Sequence, residues 1–348
     1  MAYTNIDDPS AHFQVATYSG SGGTGGHAIV NDGNSDLQPD LVWLKQRSYA
    51  SSHRLMDSSR GGNKMLESDT VNIEATYGYI SSFDTDGFTL GYSDTSFDGY
   101  GREYVGWQWK ANGGTTSSNT SGTITTTVQA NTDAGFNIVT YTGNGVNSNF
   151  GHGMGEQPDM VIVKNRTSSA NWCVWHKDLT SSYYMQLDTT ISQQTGPWDG
   201  LDPSSGVVYI YSGGLVNANG SNYVAYIFKG KQGYSKFGKY TGNGNANGPF
   251  VHTGFRPAFV MVKRSDAAEN WAIIDSTRDP YNLATKFLRP DETTAETAGN
   301  AANMDLLSNG FKLRNTDTKS NASGGTYIYM AFAENPFVTS TGIPTTAR

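Results

Sequence analysis

A single cysteine, Cys173, stands among 348 residues, so no disulfide can form within the chain and its rigidity must come from packing. Charge is scarce as well: Asp, Glu, Lys and Arg make up 16% of the residues, against roughly 25% in an ordinary soluble chain. What charge there is sums to −7. That balance repels a phosphate backbone, and we read no Lys/Arg cluster that offsets it, so nucleic acid is not an expected partner. No stretch approaches the roughly 20 apolar residues of a membrane span, and membrane insertion is not expected. The first ten residues hold no basic segment followed by an apolar one, which predicts synthesis in a cytoplasm without a signal peptide.

Glycine and aromatic residues are plentiful instead. There are 41 Gly, and 20 Tyr, 15 Phe and 7 Trp bring the aromatic share to 12%. A disordered chain lacks such aromatics because it has little apolar surface to bury, and a collagen would show a strict three-residue glycine period. Glycine for turns and aromatics for pleated surfaces suit a strand-rich protein.

One ladder of landmarks appears three times. A tyrosine turn comes first: Tyr18-Ser-Gly20, Tyr141-Thr-Gly-Asn-Gly145 and Tyr240-Thr-Gly-Asn-Gly244. Next is a proline and an apolar run closed by lysine, at Pro39-Asp-Leu-Val-Trp-Leu-Lys45, Pro158-Asp-Met-Val-Ile-Val-Lys164 and Pro257-Ala-Phe-Val-Met-Val-Lys263. Asp57, His176 and Asp275 each lie 18 residues past that proline, and the last two are approached through Asn171-Trp172 and Asn270-Trp271. Then come Gly87, Gly206 and Gly310, each followed 17 residues later by Tyr104, Tyr223 and Tyr327 at the head of an aromatic strand. Fixed gaps separated by variable ones indicate paired strands joined by surface loops.

The apolar runs at 41–44 and 259–262 fit strands covered on both faces. Alternation across 104–109 predicts a strand with one face exposed. Residues 291–307 are open to either a short helix or a loop. The expected fold is all-β, three tandem related β-sandwich modules of jelly-roll-like character, since a lone sheet would leave its aromatic face wet. The boundaries are 1–112 for the first module, 113–133 for a Thr/Ser/Gly-rich linker with an embedded edge strand, 134–233 for the second, 234–338 for the third and 339–348 for a tail.

These landmarks resemble a repeat domain of structural proteins in tailed bacteriophages, often marine ones, described as tail, tail-fibre or virion proteins. The resemblance is carried by Ala134-Gly-Phe-Asn-Ile-Val-Thr-Tyr-Thr-Gly-Asn-Gly145 and by Gly151-His-Gly-Met-Gly155 with the following proline strand. Ser52-His-Arg-Leu-Met-Asp57 with Arg60-Gly61, Phe83-Asp-Thr-Asp-Gly-Phe-Thr-Leu90 and Tyr327-Ile-Tyr-Met-Ala-Phe332 add to it. The second stretch lacks the Ser-His-Arg and Asp-Gly-Phe elements. The resemblance implies a place in a virion and a scaffold or attachment role, and it carries no catalytic residues across.

Each candidate site has a plainer reading. Asp84-Thr-Asp86-Gly87 looks like the start of a calcium loop, but no glutamate follows at the required spacing, and a turn accounts for it. No histidine pair has zinc-helix spacing, and His152 and His252 read as structural hydrogen-bonding groups ahead of the proline strands. Gly20 to Gly26 lacks the Gly-Lys-Ser/Thr ending of a phosphate loop and reads as a hairpin tip. Trp172, Trp175 and Trp271 read as core. Trp198, in Gly196-Pro-Trp-Asp-Gly200, is the candidate for stacking on a sugar ring, with Asp199 and Asn219 as hydrogen-bonding partners. No cofactor, metal or catalytic residue is expected.

The leading expectation is a non-enzymatic virion protein of a tailed phage, assembled in the host cytoplasm, in a tail, tail fibre or appendage, that serves assembly and host attachment. Its expected partners are other virion proteins, further copies of itself in a trimer or other cyclic ring, and host-surface glycan. Residues 2–10 and 338–348 are the expected inter-subunit arms. The alternatives are a capsid-decoration or head-fibre protein and a lectin-like glycan-binding module. A polysaccharide depolymerase would need two carboxylates roughly 5–10 Å apart in a groove.

Overall fold

The computed structural model describes residues 2–345 except 24, 78, 92–93, 199 and 300–301. Among the described residues the protein is almost wholly antiparallel β-sheet, with one 3-10 turn at Pro9–Ala11 and one four-residue helical turn at Thr318–Asn321. No helix among them is long and apolar enough to cross a membrane.

The same strand order recurs in three large sheets. In the first, Phe13–Ser19 is followed by Glu103–Trp109, Leu41–Gln46, Arg54–Asp57 and Lys64–Glu67. The second runs Phe136–Thr142, Asn222–Phe228, Met160–Asn165, Cys173–His176 and Tyr183–Gln186. The third runs Ser235–Thr241, Thr326–Pro336, Phe255–Arg264 and Ala272–Asp275. The register recurs too. Tyr18 faces Tyr104, Tyr141 faces Tyr223 and Tyr240 faces Tyr327, with rings stacked at 5.0, 5.0 and 4.9 Å. Each first tyrosine donates its hydroxyl 2.7 Å to a loop carbonyl, at Phe97, Val216 and Ser320. A small sheet covers the outer face of each large one, formed by His27–Ile29, Gly87–Leu90 and Ile80–Asp84 in the first stretch. Ser148–Gly151 with Val207–Ile210, and Phe250–His252 with Gly310–Leu313 and Met304–Leu307, do the same in the other two.

Three apolar cores lie between these large and small sheets, and a fourth lies where the three large sheets meet. Each stretch was expected to close only its own interior, yet the fourth core draws side chains from all three. At its centre Trp109, Phe228 and Phe332, which hold the same position in their strands, form a triangle with ring centroids 6.4, 5.6 and 6.1 Å apart. Phe13 stacks on Phe332 and Phe228 packs on Phe237, so aromatic contact continues across the seams. Both faces of Glu103–Trp109 are therefore buried beyond its first residue, contrary to the half-exposed strand expected from alternation. Gly106 shows how tightly the outer face is covered, since a Cβ there would lie 3.0 Å from Leu44 and 3.5 Å from Phe88.

A ring of polar contacts runs head to tail around this core. Lys45 donates to the carbonyls of Ser51, in its own stretch, and Thr293, in the third. Lys164 donates to Ala170 and to Thr70 in the first stretch, and Lys263 to Glu269 and to Thr190 in the second. Trp172 and Trp271 donate their indole N–H to Glu67 and Gln186, again across a seam. Their backbone N–H groups, with the side chains of Asn171 and Asn270, are held by Asp188 and Asp291, which explains the Asn-Trp pairs in the sequence. The Asp57 carboxylate meets the Tyr226 hydroxyl at 2.8 Å, Asp275 accepts from the Trp107 indole at 2.9 Å, and His176 approaches the Tyr329 carbonyl at 3.2 Å.

Other expectations are met only in part. Within residues 113–133 the expected edge strand is present as Thr126–Asn131, and a second one, Ser117–Asn119, extends the second sheet beyond it. Among the described residues 291–307 there is no helix, but loop, two-residue Thr297–Ala298 and strand Met304–Leu307. Of the expected inter-subunit arms, the N-terminal one packs against the chain's own body, and the described part of the C-terminal one, residues 338–345, meets it at Asp7. Ile6 enters the shared core, Tyr3 donates to the Gly254 carbonyl, and Asp7 accepts from the Ser340 backbone N–H.

Two predictions follow from the ring. Lys263→Met removes the two hydrogen bonds that tie the Glu269 and Thr190 carbonyls together and should lower stability by about 1–3 kcal/mol, measured by urea unfolding. Burial lowers Lys45, Lys164 and Lys263 to about 8, and raises Asp188 to about 6 and Asp291 to about 7. Each raised carboxyl takes stability away as pH rises from about 4 to its folded value, and each lowered lysine returns stability above about pH 8, whereas the buried His53 and His176 act against the carboxyls below about pH 6.5. Asp291→Asn should therefore gain in thermal midpoint relative to the parent chain as pH rises from about 4 to 7, because it removes the loss that Asp291 imposes.

Candidate functional site

The seams between sheets open at one end of the molecule, beside the strands that begin at Phe13, Phe136 and Ser235. Three clefts at equivalent positions are expected there, and their fates differ.

The cleft between the first and second stretches is filled by the chain itself. Asp40 accepts hydrogen bonds from the backbone N–H groups of Ala111, Gly113 and Gly114 and from the Ser58 hydroxyl. Gln129, from the added edge strand, accepts from Asn112 and Gly114 and donates to Ser58 and Ser59.

The cleft between the third and first stretches is open, with a volume of about 480 Å3, and is lined by Gln14, Asp32, Gly33, Arg256, Ser276 and Glu334. Arg256 is nine-tenths buried and its Nε lies 3.3 Å from a Glu334 carboxylate oxygen, though neither Nε nor Nη1 makes a well-formed hydrogen bond. Gln14 is committed to the fold, donating to Ser10 and Ser35 and accepting from Gly33.

The cleft between the second and third stretches is also open, at about 470 Å3, and gathers Lys177, Lys229, Lys231 and Lys236 beside Asp159, His252 and Tyr3. Lys177 and Lys229 share the Asp159 carboxylate at 3.3 and 3.5 Å. Lys231 pairs with Glu156 at 2.7 Å, and Lys236 donates to the His252 carbonyl at 2.8 Å. Burial, and then the charge of Lys177, lowers the Lys236 ammonium below its ordinary pKa. A second cavity of about 750 Å3, lined by Ala2, Ile6, His12 and Asp133 among others, shares the lining residues Tyr3, Lys231 and Gln232 with this one.

The residues singled out from sequence form no site. Trp198 is fully buried in the second stretch's own core. The Gly196-Pro197 turn that carries it is pressed against Tyr184, where a Cβ on Gly196 would lie 2.5 Å from the ring, and this directs the indole inward. Asp199 lies outside the described residues, and Asn219 sits in an exposed turn with Gly220. Trp172, Trp175 and Trp271 are core residues. Asp84 accepts from the Thr89 hydroxyl and Asp86 from the Leu37 N–H, so both carboxylates serve their hairpin. His152 accepts from the Met154 N–H and contacts the Ser204 carbonyl, while His252 is exposed. Among the described residues no group of three His, Cys, Asp or Glu is placed to hold a metal. Burial raises the Cys173 thiol and holds His53 and His176 neutral, the latter at about 4.

The sequence did carry a signal for the lysine cleft. Residues 229–239 hold four lysines, at 229, 231, 236 and 239, against the expectation that no such cluster exists. Lys177, distant in sequence, joins three of them only through folding.

The fold thus defines an all-β protein closed into a ring of three sheets, with polar clefts at its seams. The chain belongs to the DUF7483 family, a domain of unknown function whose family model matches residues 8–336, a span that includes all three sheets. No curated protein and no solved structure matches it.

The closed cleft yields a prediction. Asp40→Ala leaves the backbone N–H groups of Ala111 and Gly113 without their acceptor, while Gly114 keeps Gln129, and should cost about 2–4 kcal/mol in urea unfolding. Residues 111–131 should also become the first site cut by a nonspecific protease.

Proposed function

We propose that this protein is a non-enzymatic structural component of a tailed-phage virion, placed in a tail, tail fibre or appendage and assembled in the host cytoplasm. In this reading the three stretches are tandem, related β-sandwich modules of jelly-roll-like character, with the Thr/Ser/Gly-rich edge strands belonging to the second. The observation that carries it is the closed ring: equivalent residues Lys45, Lys164 and Lys263 each tie one stretch to the carbonyl of another. Such a ring gives one chain the geometry that a homotrimer builds from three, and it holds without disulfides. A body whose main core is shared by all its parts suits a load-bearing element better than a moving catalyst. The sequence resemblance to phage virion repeats supplies the location.

Other virion proteins are its partners in this proposal, with further copies of the chain assembled through its outer surfaces, because the seams are already used within one molecule. Placement on the capsid, as a decoration or head-fibre protein, is the alternative position for the same part. Immunogold labelling of intact particles tests the reading. We expect label at the tail or its appendages. Label on the head shifts the protein to the alternative, and particles without label sink the proposal.

A further inference from the structure

The open cleft between the second and third stretches carries more positive charge than the fold requires. The repeated register supplies an internal control, because each of its lysines has two counterparts in the other stretches. Lys177 follows His176, as Ser58 follows Asp57 and Ser276 follows Asp275. Lys229 corresponds to Lys110 and Ala333, one residue beyond the central triangle, and Lys231 to Asn112 and Asn335. Lys236 corresponds to Gln14 and Asn137, in the second position of its strand. Uncharged residues therefore serve at the other two copies of the Lys177, Lys231 and Lys236 positions, and at one of the other two copies of the Lys229 position, where the first stretch also has a lysine, Lys110. The lysines converge only here, in a chain whose net charge is −7.

Their local acids leave an excess. Asp159 is shared by two lysines at distances longer than a good hydrogen bond, and only Lys231 has a close carboxylate, Glu156. Four ammonium groups against Asp159 and Glu156, with Asp133 lining the neighbouring cavity, leave a net positive local field in a chain of opposite sign. The space suits a small ligand, since about 470 Å3 falls within the roughly 300–1,000 Å3 usual for such sites. The larger neighbouring cavity shares Tyr3, Lys231 and Gln232 with it as lining residues. Tyr3 is fixed by its hydroxyl on Gly254 and places an aromatic ring between the two cavities. An aromatic ring with hydrogen-bonding groups and ammonium groups spread along a groove is the recognition chemistry of a sugar chain bearing repeated negative charges.

We propose that this cleft is a binding site for an acidic oligosaccharide, carboxylated or sulfated, held by Lys177, Lys229, Lys231 and Lys236 beside Tyr3. The assignment goes beyond the structural role and does not depend on the chain's place in a particle.

The test uses the full chain in titration calorimetry with four probes: tetragalacturonate, a sulfated carrageenan tetrasaccharide, neutral maltotetraose and inorganic phosphate. We expect at least one acidic tetrasaccharide to bind, with affinity falling as salt rises, while maltotetraose does not. The variant Lys177→Ser, Lys229→Ala, Lys231→Asn takes the third stretch's own residues and should fold. It should lose about tenfold or more in affinity. A control with the same charge change elsewhere, Lys64→Ser, Lys239→Asn, Lys312→Ala, should bind as the parent does. Acetylation of the parent chain, read by mass spectrometry, should find the four cleft lysines protected by the bound saccharide, whether or not the variant folds. Binding of neither acidic probe, equal binding of maltotetraose, phosphate competing at the same concentration as the tetrasaccharide, or unprotected cleft lysines would each overturn the assignment.

Discussion

Contact among Trp109, Phe228 and Phe332 is the constraint on which the rest of the structure depends. Once these three rings meet, each large sheet must turn one face to the common centre and leave the other for its small sheet to cover. Every central strand is then buried on both sides, which is why Leu41–Gln46 and Met160–Asn165 have no exposed residue. Burying a large apolar side chain contributes roughly 1.5–3 kcal/mol, and this centre collects such side chains from the whole length of the chain. The protein without disulfides thus has a substitute for them, a core that no single stretch can form.

Polar groups at the seams set the alignment of the ring. The three buried lysines each hold two backbone carbonyls, one from their own stretch and one from another, and so fix how neighbouring stretches sit. Two seams also carry buried ionic networks. Asp57, Arg60 and Glu74 meet Arg166 at one, and Asp275, Arg278 and Glu296 meet Arg47 at another. At the remaining seam His176, Leu179, Gln193 and Ser265 take the corresponding places without charge. An isolated buried ion is costly, so such networks are kept whole or replaced whole, and the second stretch shows the replacement.

Departures from threefold repetition fall where the fold does not need repetition. One cleft is closed by Gln129 and the edge strands, one holds Arg256 with Glu334, and one gathers lysines. The framework that holds them is common, while the side chains lining them have diverged. A scaffold of this kind separates stability, which resides in the shared centre, from surface chemistry at the seams.

Sequence by itself determined the all-β class and the three ladders of landmarks, and the fixed 18-residue gap does mark paired strands. The 17-residue gap instead joins strands of different sheets, and the tyrosine pairing, over spacings that vary, came only with the fold. The Asn-Trp pairs and the closing lysines were also legible as positions, though not as contacts. Only the tertiary structure decided that the three sheets share a centre, since an aromatic strand reads the same whether its second face meets water or another sheet. For that reason alternation misjudged Glu103–Trp109, and a tryptophan between glycine and proline turns was taken for an exposed one although its turn is pressed onto Tyr184. The lysine cleft is the mixed case: three of its members are neighbours in sequence, and the fourth arrives from more than fifty residues away through a strand pairing. Local periodicity encodes which residues pair within a sheet. Which sheets then cover one another is set by packing between parts of the chain that are distant in sequence.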